Sequence, residues 1–485
     1  MKHICLRFIL YFLLLVFLTE NIVAQTIGTV SPSPDSCLSF SEKEKIVVGD
    51  IRLKGNKITR DKIIVRELEL NSGDTLCFSE FCRLTNQSRL NLLNRSIFNF
   101  VTIDTIRDTV YRQLMHLEFQ FIERWYFWPF PIFELADRNF NSWFSSGKYN
   151  RVNYGMLLTH NNFRGRIEQF RILIRAGFNQ NFSIRYDIPY LTRDQTFGLG
   201  FMAGLSRNPE AAIANVDDKQ LFFKPASGFA RENLYGGIIF TYRPAIRNTH
   251  SLIATLDYLR IADSILILNP DYSVNTDNEI YNMAFNYTFK HDYRDHKPYP
   301  LTGHYFDVEL GFRKLLTRFE NPEFYVLKSS FDFYKTITNR VYWASNLTVR
   351  FTDKSIQPYF LSSSFGFNND IVRSYELYVV EGYNWGIMKN NLKYQLLKPR
   401  VSQLPWIKSE KFNKVHYAVY LNLFGDFGYV RQRTDKMSSG LQNRLLHGFG
   451  LGLDFVTYYD LVFRFEYGIN HLSEKGLFIH FVAPI

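Results

Sequence analysis

Val341-Tyr-Trp-Ala-Ser-Asn-Leu-Thr-Val-Arg-Phe351 reads as a strand with two unlike faces. Successive side chains of an extended chain alternate, so Val341, Trp343, Leu347, Val349 and Phe351 point one way and Tyr342, Asn346, Thr348 and Arg350 the other. The pattern recurs. Phe170, Ile172, Ile174, Ala176 and Phe178 oppose Arg171, Leu173 and Arg175. Val415, Tyr417, Val419, Leu421 and Leu423 oppose His416, Ala418, Tyr420 and Asn422, and Leu461, Phe463, Phe465, Tyr467 and Ile469 oppose Arg464 and Glu466. A soluble sandwich also alternates, but it turns its apolar face inward and leaves arginine outside. Here the alternation persists from about residue 125 without helical interruption, as expected of strands with lipid on one face and a wet lumen on the other.

Membrane strands of ~9–11 residues with their turns and loops take roughly 22 residues each, which predicts a transmembrane antiparallel β-barrel of about 16 strands over 125–485. Closure is required because unpaired backbone groups cannot be left in lipid. The first strand is expected at about Ile132 to Phe140, behind Pro129 and Pro131, and the last at Leu477 to Ile485, which contains Pro484.

Composition agrees. The chain holds 46 Phe and 30 Tyr against 7 Met, an aromatic load suited to girdles at two membrane interfaces. Mean hydropathy is −0.17, as it should be when every second strand residue faces water. A net charge of +11 would point to nucleic acid in a cytosolic protein. In a barrel the anionic partner is lipopolysaccharide phosphate, or the lumen itself is positively lined, and no nucleic-acid partner is expected.

The compartment is read from the first residues. Lys2, His3 and Arg7 precede the apolar run Phe8 to Leu18, and Ile22-Val23-Ala24 offers a cleavage site before Gln25. That is a signal peptide over 1–24, since 11 apolar residues are too few for a helix that needs about 20 to span a bilayer. Residues 25–44 are rich in Ser, Pro and Thr and read as a flexible leader. Cys37, Cys77 and Cys82 remain after cleavage, so at most one disulfide forms within the chain, with Cys77 and Cys82 near enough in sequence to pair.

Residues 45–124 have a different, α+β texture. IVVGDIRLKG alternates and ends at the turn pair Gly55-Asn56, and Thr59 is placed to cap a helix carrying Ile63, Ile64 and Leu68. A second helix carries Phe81, Leu84, Leu90, Leu92 and Leu93, and two alternating segments come after it. The expected order is strand, helix, helix, strand, strand.

These pieces resemble a polypeptide-transport-associated (POTRA) domain: IRLKGNKIT (51–59), IIVRELELNSGD (63–74), LNLLNRSIFNFV (90–101) and LEFQFIER (117–124), with Gly55, Asn56, Thr59, Phe98 and Val101 the specific positions. Residues 125–485 resemble the barrel of the outer-membrane assembly-factor superfamily, the bacterial surface antigens of BamA/TamA type. Asn161-Asn-Phe-Arg-Gly165 is similar to its "NxxG" strand end and Tyr186-Asp-Ile-Pro-Tyr190 to its "YxxPY" element. Asp292, Arg294, Asp295, Pro300 and Gly303 match its "DxRD…PxxG" periplasmic turn. Ile371-Val372-Arg373-Ser374-Tyr375 resembles the VRGF/VRGY signature of the sixth extracellular loop, with Ser where the family usually has Gly. The resemblance implies that this loop folds back into the lumen, where Arg373 meets Asp426 of Phe424-Gly-Asp-Phe-Gly428. A guanidinium has five donors in a fixed fork, so an arginine inside a barrel calls for a carboxylate that binds it bidentately and fixes the loop's position. Serine at 374 costs little if its φ is negative and more if φ is positive.

Other signals lead nowhere. His291, Asp292, Asp295 and His296 look like a metal cluster but precede the Pro-x-x-Gly of a turn, so no metal or cofactor is expected. Gly448-Phe-Gly-Leu-Gly452 lacks the following helix of a phosphate loop, and its glycines are expected to leave room for the lumenal loop on that wall. No nucleophile–base set is positioned for catalysis, so no enzyme activity is expected. The resemblance implies insertion or translocation of unfolded or extended client polypeptides at the bacterial outer membrane, with the POTRA domain in the periplasm and periplasmic accessory proteins as further partners. A two-partner secretion type transporter and a channel or structural barrel without insertase activity are the alternatives.

Overall fold

The computed structural model describes residues 44–480 apart from 112, 136–146, 148–150, 319, 356, 362–363, 367–369, 410, 434–439 and 458–460. The expected signal peptide, Cys37, the leader up to 43 and the stretch with Pro484 lie outside the described residues.

A single antiparallel sheet of 16 strands comes after the N-terminal elements, each strand hydrogen-bonded to its neighbours in chain order. Its faces are inverted relative to a soluble protein. Trp343, Leu347 and Phe351 are 40%, 48% and 50% exposed, while Thr348 and Arg350 on the opposite face are each 7% exposed. Apolar side chains that face outward and charged ones buried inward make a stable arrangement only where the outer solvent is lipid. The chain is a transmembrane β-barrel with the strand number expected.

The N-terminal unit is a four-stranded sheet in the order β2-β1-β4-β3, with β1 Lys45–Lys54, β2 Thr75–Cys77, β3 Phe98–Arg107 and β4 Leu114–Glu123. Strand β1 runs parallel to β4. Helices α1 (Asp61–Val65) and α2 (Phe78–Leu93) bury Ile63, Ile64, Phe81 and Leu92 with Ile46, Val48, Phe98, Val101, Leu117 and Phe119 of the sheet. Phe98 and Val101 are thus core residues. The three-residue β2 is an addition to the expected order. Cys77 and Cys82 are not bonded to each other.

The first barrel strand, β5, is described over Phe127–Leu135, so it starts ahead of the expected Ile132 and contains Pro129 and Pro131, while residues 136–140 of the expected strand lie outside the described residues. Prolines are tolerated there because, among the described residues, β5 pairs with Val152–Phe163 on one side only, so the missing N–H groups face its other edge. The last strand is described over Lys475–His480, and among the described residues no ladder joins it to β5. That is the seam of the barrel. At the end distal to the N-terminal unit, a hairpin (Ala211–Val216 with Lys219–Phe223), a short helix α3 (Asp263–Leu268) and the loop residues Tyr272 and Tyr359 pack together.

Candidate functional site

The loop between strands Val341–Thr352 and Asn384–Gln403 enters the lumen at Arg373, which is buried. Its Nε donates to Asp426 Oδ2 at 2.8 Å and its Nη2 to Asp426 Oδ1 at 2.5 Å. Its backbone N–H reaches Asp426 Oδ2 at 3.2 Å. Two further acceptors complete the fork: Nη1 donates to Asn391 Oδ1 at 2.8 Å and to Glu466 Oε1 at 3.0 Å. The guanidinium lies 4.1 Å from the Phe424 ring centroid. Asp426, Asn391 and Glu466 come from three separate strands, so the loop tip is tied across the wall. Val372 packs with Phe365, Trp385, Val430 and Leu446. Tyr375 Oη donates to the His447 carbonyl at 3.3 Å and contacts His471 Nδ1.

The wall beside this tip is made of small residues. A side chain at Gly448 would collide with the carbonyl oxygen of Arg373, and one at Gly468 with Ser374 Oγ. Ser374 itself has φ +75°, a left-handed conformation that serine rarely adopts, and among the described residues its buried hydroxyl has no hydrogen-bond partner. The departure from glycine therefore falls on the costly side.

A second network enters the same wall from the other mouth. The turn after strand Glu279–Asp292 folds Tyr299 into the lumen, where its hydroxyl donates to Asp454 Oδ2 at 2.7 Å. Arg464 binds the same carboxylate through Nε at 2.7 Å and Nη2 at 2.9 Å, and its Nε lies 3.8 Å from Glu466. Tyr299, Asp454, Arg464, Glu466 and Arg373 form one polar chain from a proximal turn to the distal loop. The turn motif supports this fold-back. Arg294 is bidentate to Asp292 at 2.9 Å for each nitrogen, and Asp295 Oδ1 accepts from the His296 and Leu301 N–H groups. Pro300 is buried beside Tyr299, and Gly303 takes φ +103° with its Cβ position blocked by the Tyr293 carbonyl. His291 Nδ1 contacts Asn248 Oδ1 at 2.6 Å, so these side chains are engaged with each other and with neighbours. Among the described residues no group of three metal-binding side chains is gathered.

The N-terminal unit sits on the proximal mouth. Glu67, just after α1, is buried and receives Arg243 at 2.5 and 2.8 Å and the Tyr190 hydroxyl at 3.0 Å. Burial alone would raise its pKa, but the hydrogen bonds from Arg243, with the charges of Arg95 and Arg66, hold it down to about 2. Arg66 donates to the Gln195 and Arg243 carbonyls at 2.9 and 2.5 Å. Asn94 donates to the Arg294 and Asp295 carbonyls and accepts from Lys297 N–H.

Thr59 is not a helix cap. The residue at that position is Arg60, which has no side-chain cap, whereas Thr59 Oγ1 donates to Glu123 at 2.8 Å and accepts from Asn162 at 2.9 Å. Gly55 and Asn56 turn the chain out of β1, and Asn56 Nδ2 bonds Thr59 O and Asp61. Glu67, Arg243, Tyr299 and Glu466 were absent from the sequence-level site. Each is a single polar residue in an ordinary helix, turn or strand, and only Tyr299 carried a local signal, between the two prolines of its turn.

No family model and no curated protein matches the chain. Solved structures do. A BamA from Haemophilus ducreyi lacking POTRA domains 1–3 is 14% identical, covering 90% of this chain and 83% of that one, with a TM-score of 0.48. CdiB from Acinetobacter baumannii is 13% identical over 90% of this chain and 73% of that one, with a TM-score of 0.46. CdiB from Escherichia coli is 13% identical over 90% of this chain and 75% of that one, with a TM-score of 0.51. The chain has the fold of the CdiB-type outer-membrane barrel.

Proposed function

We propose that this protein handles client polypeptides at the bacterial outer membrane, as an assembly or insertion factor, with residues 45–124 a POTRA domain in the periplasm and residues 1–24 the export signal. The observation that carries the reading is the seam. Among the described residues strand β5 has one edge without a ladder, and its N–H groups are missing there at Pro129 and Pro131, so closure against the last strand is weak. A weak seam is one that a client strand can enter, templated by the unpaired edge. The domain contributes a second edge at β3, where an extended client adds by main-chain hydrogen bonds. The lumen is occupied by the Arg373 loop and the Tyr299 turn, which favours lateral insertion at the seam over conduction through the pore.

The test is reconstitution in liposomes with a urea-unfolded test barrel. The reading expects the client to become heat-modifiable and protease-protected faster than in empty liposomes, and the gain to vanish on deleting 45–124. Absence of acceleration with large steady conductance would replace it with the channel reading. Export of one dedicated client through the lumen would replace it with the secretion transporter.

A further inference from the structure

Between the N-terminal unit and the proximal mouth lies a cavity of about 100 Å3. Six cations line it: Arg95 behind α2, Arg243 and Arg247 from one turn, Lys290 at a strand end, and Arg294 and Lys297 from the next turn. Among the described residues, Glu67 and Asp292 are the carboxylates that face them, with Glu69 just behind. Those carboxylates are already engaged. Glu67 is taken by Arg243 and Tyr190, Asp292 by both nitrogens of Arg294 and by Lys297 at 3.4 Å, and Glu69 by Arg247 at 3.1 Å.

Positive charge is left over. Among the described residues, the buried Nε of Arg95 has no hydrogen-bond partner, its nearest carboxylate oxygen being Glu67 Oε1 at 3.7 Å. The Lys297 ammonium has Asp292 at 3.4 Å as its carboxylate, and Arg294 already holds that carboxylate with two nitrogens. A buried donor without an acceptor and crowded cations both cost stability unless an anion joins them.

We propose that this cavity binds a soluble, phosphate-sized oxyanion held between Arg95 of the N-terminal unit and Lys290 and Lys297 of the barrel. The volume fits, being a few times the ~30 Å3 that a water molecule occupies in the liquid. The position excludes a membrane lipid. Lys290 lies on the opposite face of its strand from the exposed Tyr281 and Phe285, so the site opens to the lumen and the anion arrives from solution. Bound there, it clasps the domain to the barrel by charge-assisted hydrogen bonds from both. This goes beyond client handling and does not depend on it.

The full chain, folded in zwitterionic detergent micelles, would be titrated with inorganic phosphate by calorimetry at constant ionic strength, with chloride as the reference anion. The expected result is saturable one-site binding, weakened about tenfold or more in Arg95→Gln combined with Lys297→Gln. Lys290→Gln is the second variant and should also weaken binding. Arg318→Gln at the distal end should bind as the parent does. Heat-modifiable migration confirms that each variant is folded. Heats indistinguishable from those of chloride, or unchanged affinity in folded Lys290→Gln and in the folded double variant, would overturn the proposal.

Discussion

Arg373 reaches Asp426 with two side-chain nitrogens and with its own backbone N–H, so the carboxylate holds the loop's main chain as well as its side chain. A loop fixed in this way cannot slide along the lumen without breaking three bonds together. Because the pair is desolvated, removing one partner leaves a buried charge uncompensated.

Arg373→Ala should therefore destabilise the folded barrel by ~3–5 kcal/mol, stranding the buried Asp426 carboxylate. Arg350→Ala, at another buried lumen-facing position where the arginine donates to the Tyr383 carbonyl at 3.1 Å, should cost less. Heat-modifiable mobility on gels gives both midpoints, and equal shifts would remove the reason for singling out Arg373.

Ser374→Gly should stabilise the barrel by about 1 kcal/mol, because glycine relieves the left-handed strain and removes an unsatisfied hydroxyl. The same gel assay should show a higher melting midpoint. A lower one would mean that the Ser374 side chain fills space beside Gly468 that matters more than its backbone.

Tyr299→Phe keeps the ring against Tyr420 and deletes only the bond to Asp454, which retains Arg464. A loss of about 1 kcal/mol is expected. Urea denaturation in micelles measures it, and no loss would uncouple the proximal turn from the lumenal network.

The Glu67 carboxyl is held down to about 2 from an ordinary 4.5, so its contribution is complete above 4.5 and is lost as pH falls towards 2. Energy transfer between dyes on the N-terminal unit and on a barrel turn should report tight docking at neutral pH and release through that acid window. Glu67→Gln should dock less tightly at neutral pH and lose the part of the acid transition owed to this residue. An identical acid profile in the variant would contradict the assignment.

Much of the barrel was legible because lipid on one side and water on the other enforce a period of two. Strand β5 was misplaced since Pro129 and Pro131 read as flanks, and only a one-sided edge strand can include them. Strand β2, three residues long, is too short to show a period. Thr59 looked like a cap because threonine before a helix usually is one, but the Glu123 carboxylate and the Asn162 amide claim its side chain. The Arg373–Asp426 contact was reached through motif resemblance. Asn391 and Glu466 were not, since they lie far from Arg373 in sequence and meet it only where the sheet's neighbouring strands face the loop, which leaves no local pattern. Glu67 carried no signal in the sequence, since its partner Arg243 sits on a barrel turn far along the chain.

Entry of clients at the seam can be seen directly. The most direct measurement places a photo-crosslinking residue at Phe133, on the exposed face of β5, or at Phe285, also exposed but half-way round the sheet, during insertion of a test barrel. Client crosslinks are expected from 133 and few from 285. Accelerated insertion with equal crosslinking at both positions, or with none at 133, would contradict it.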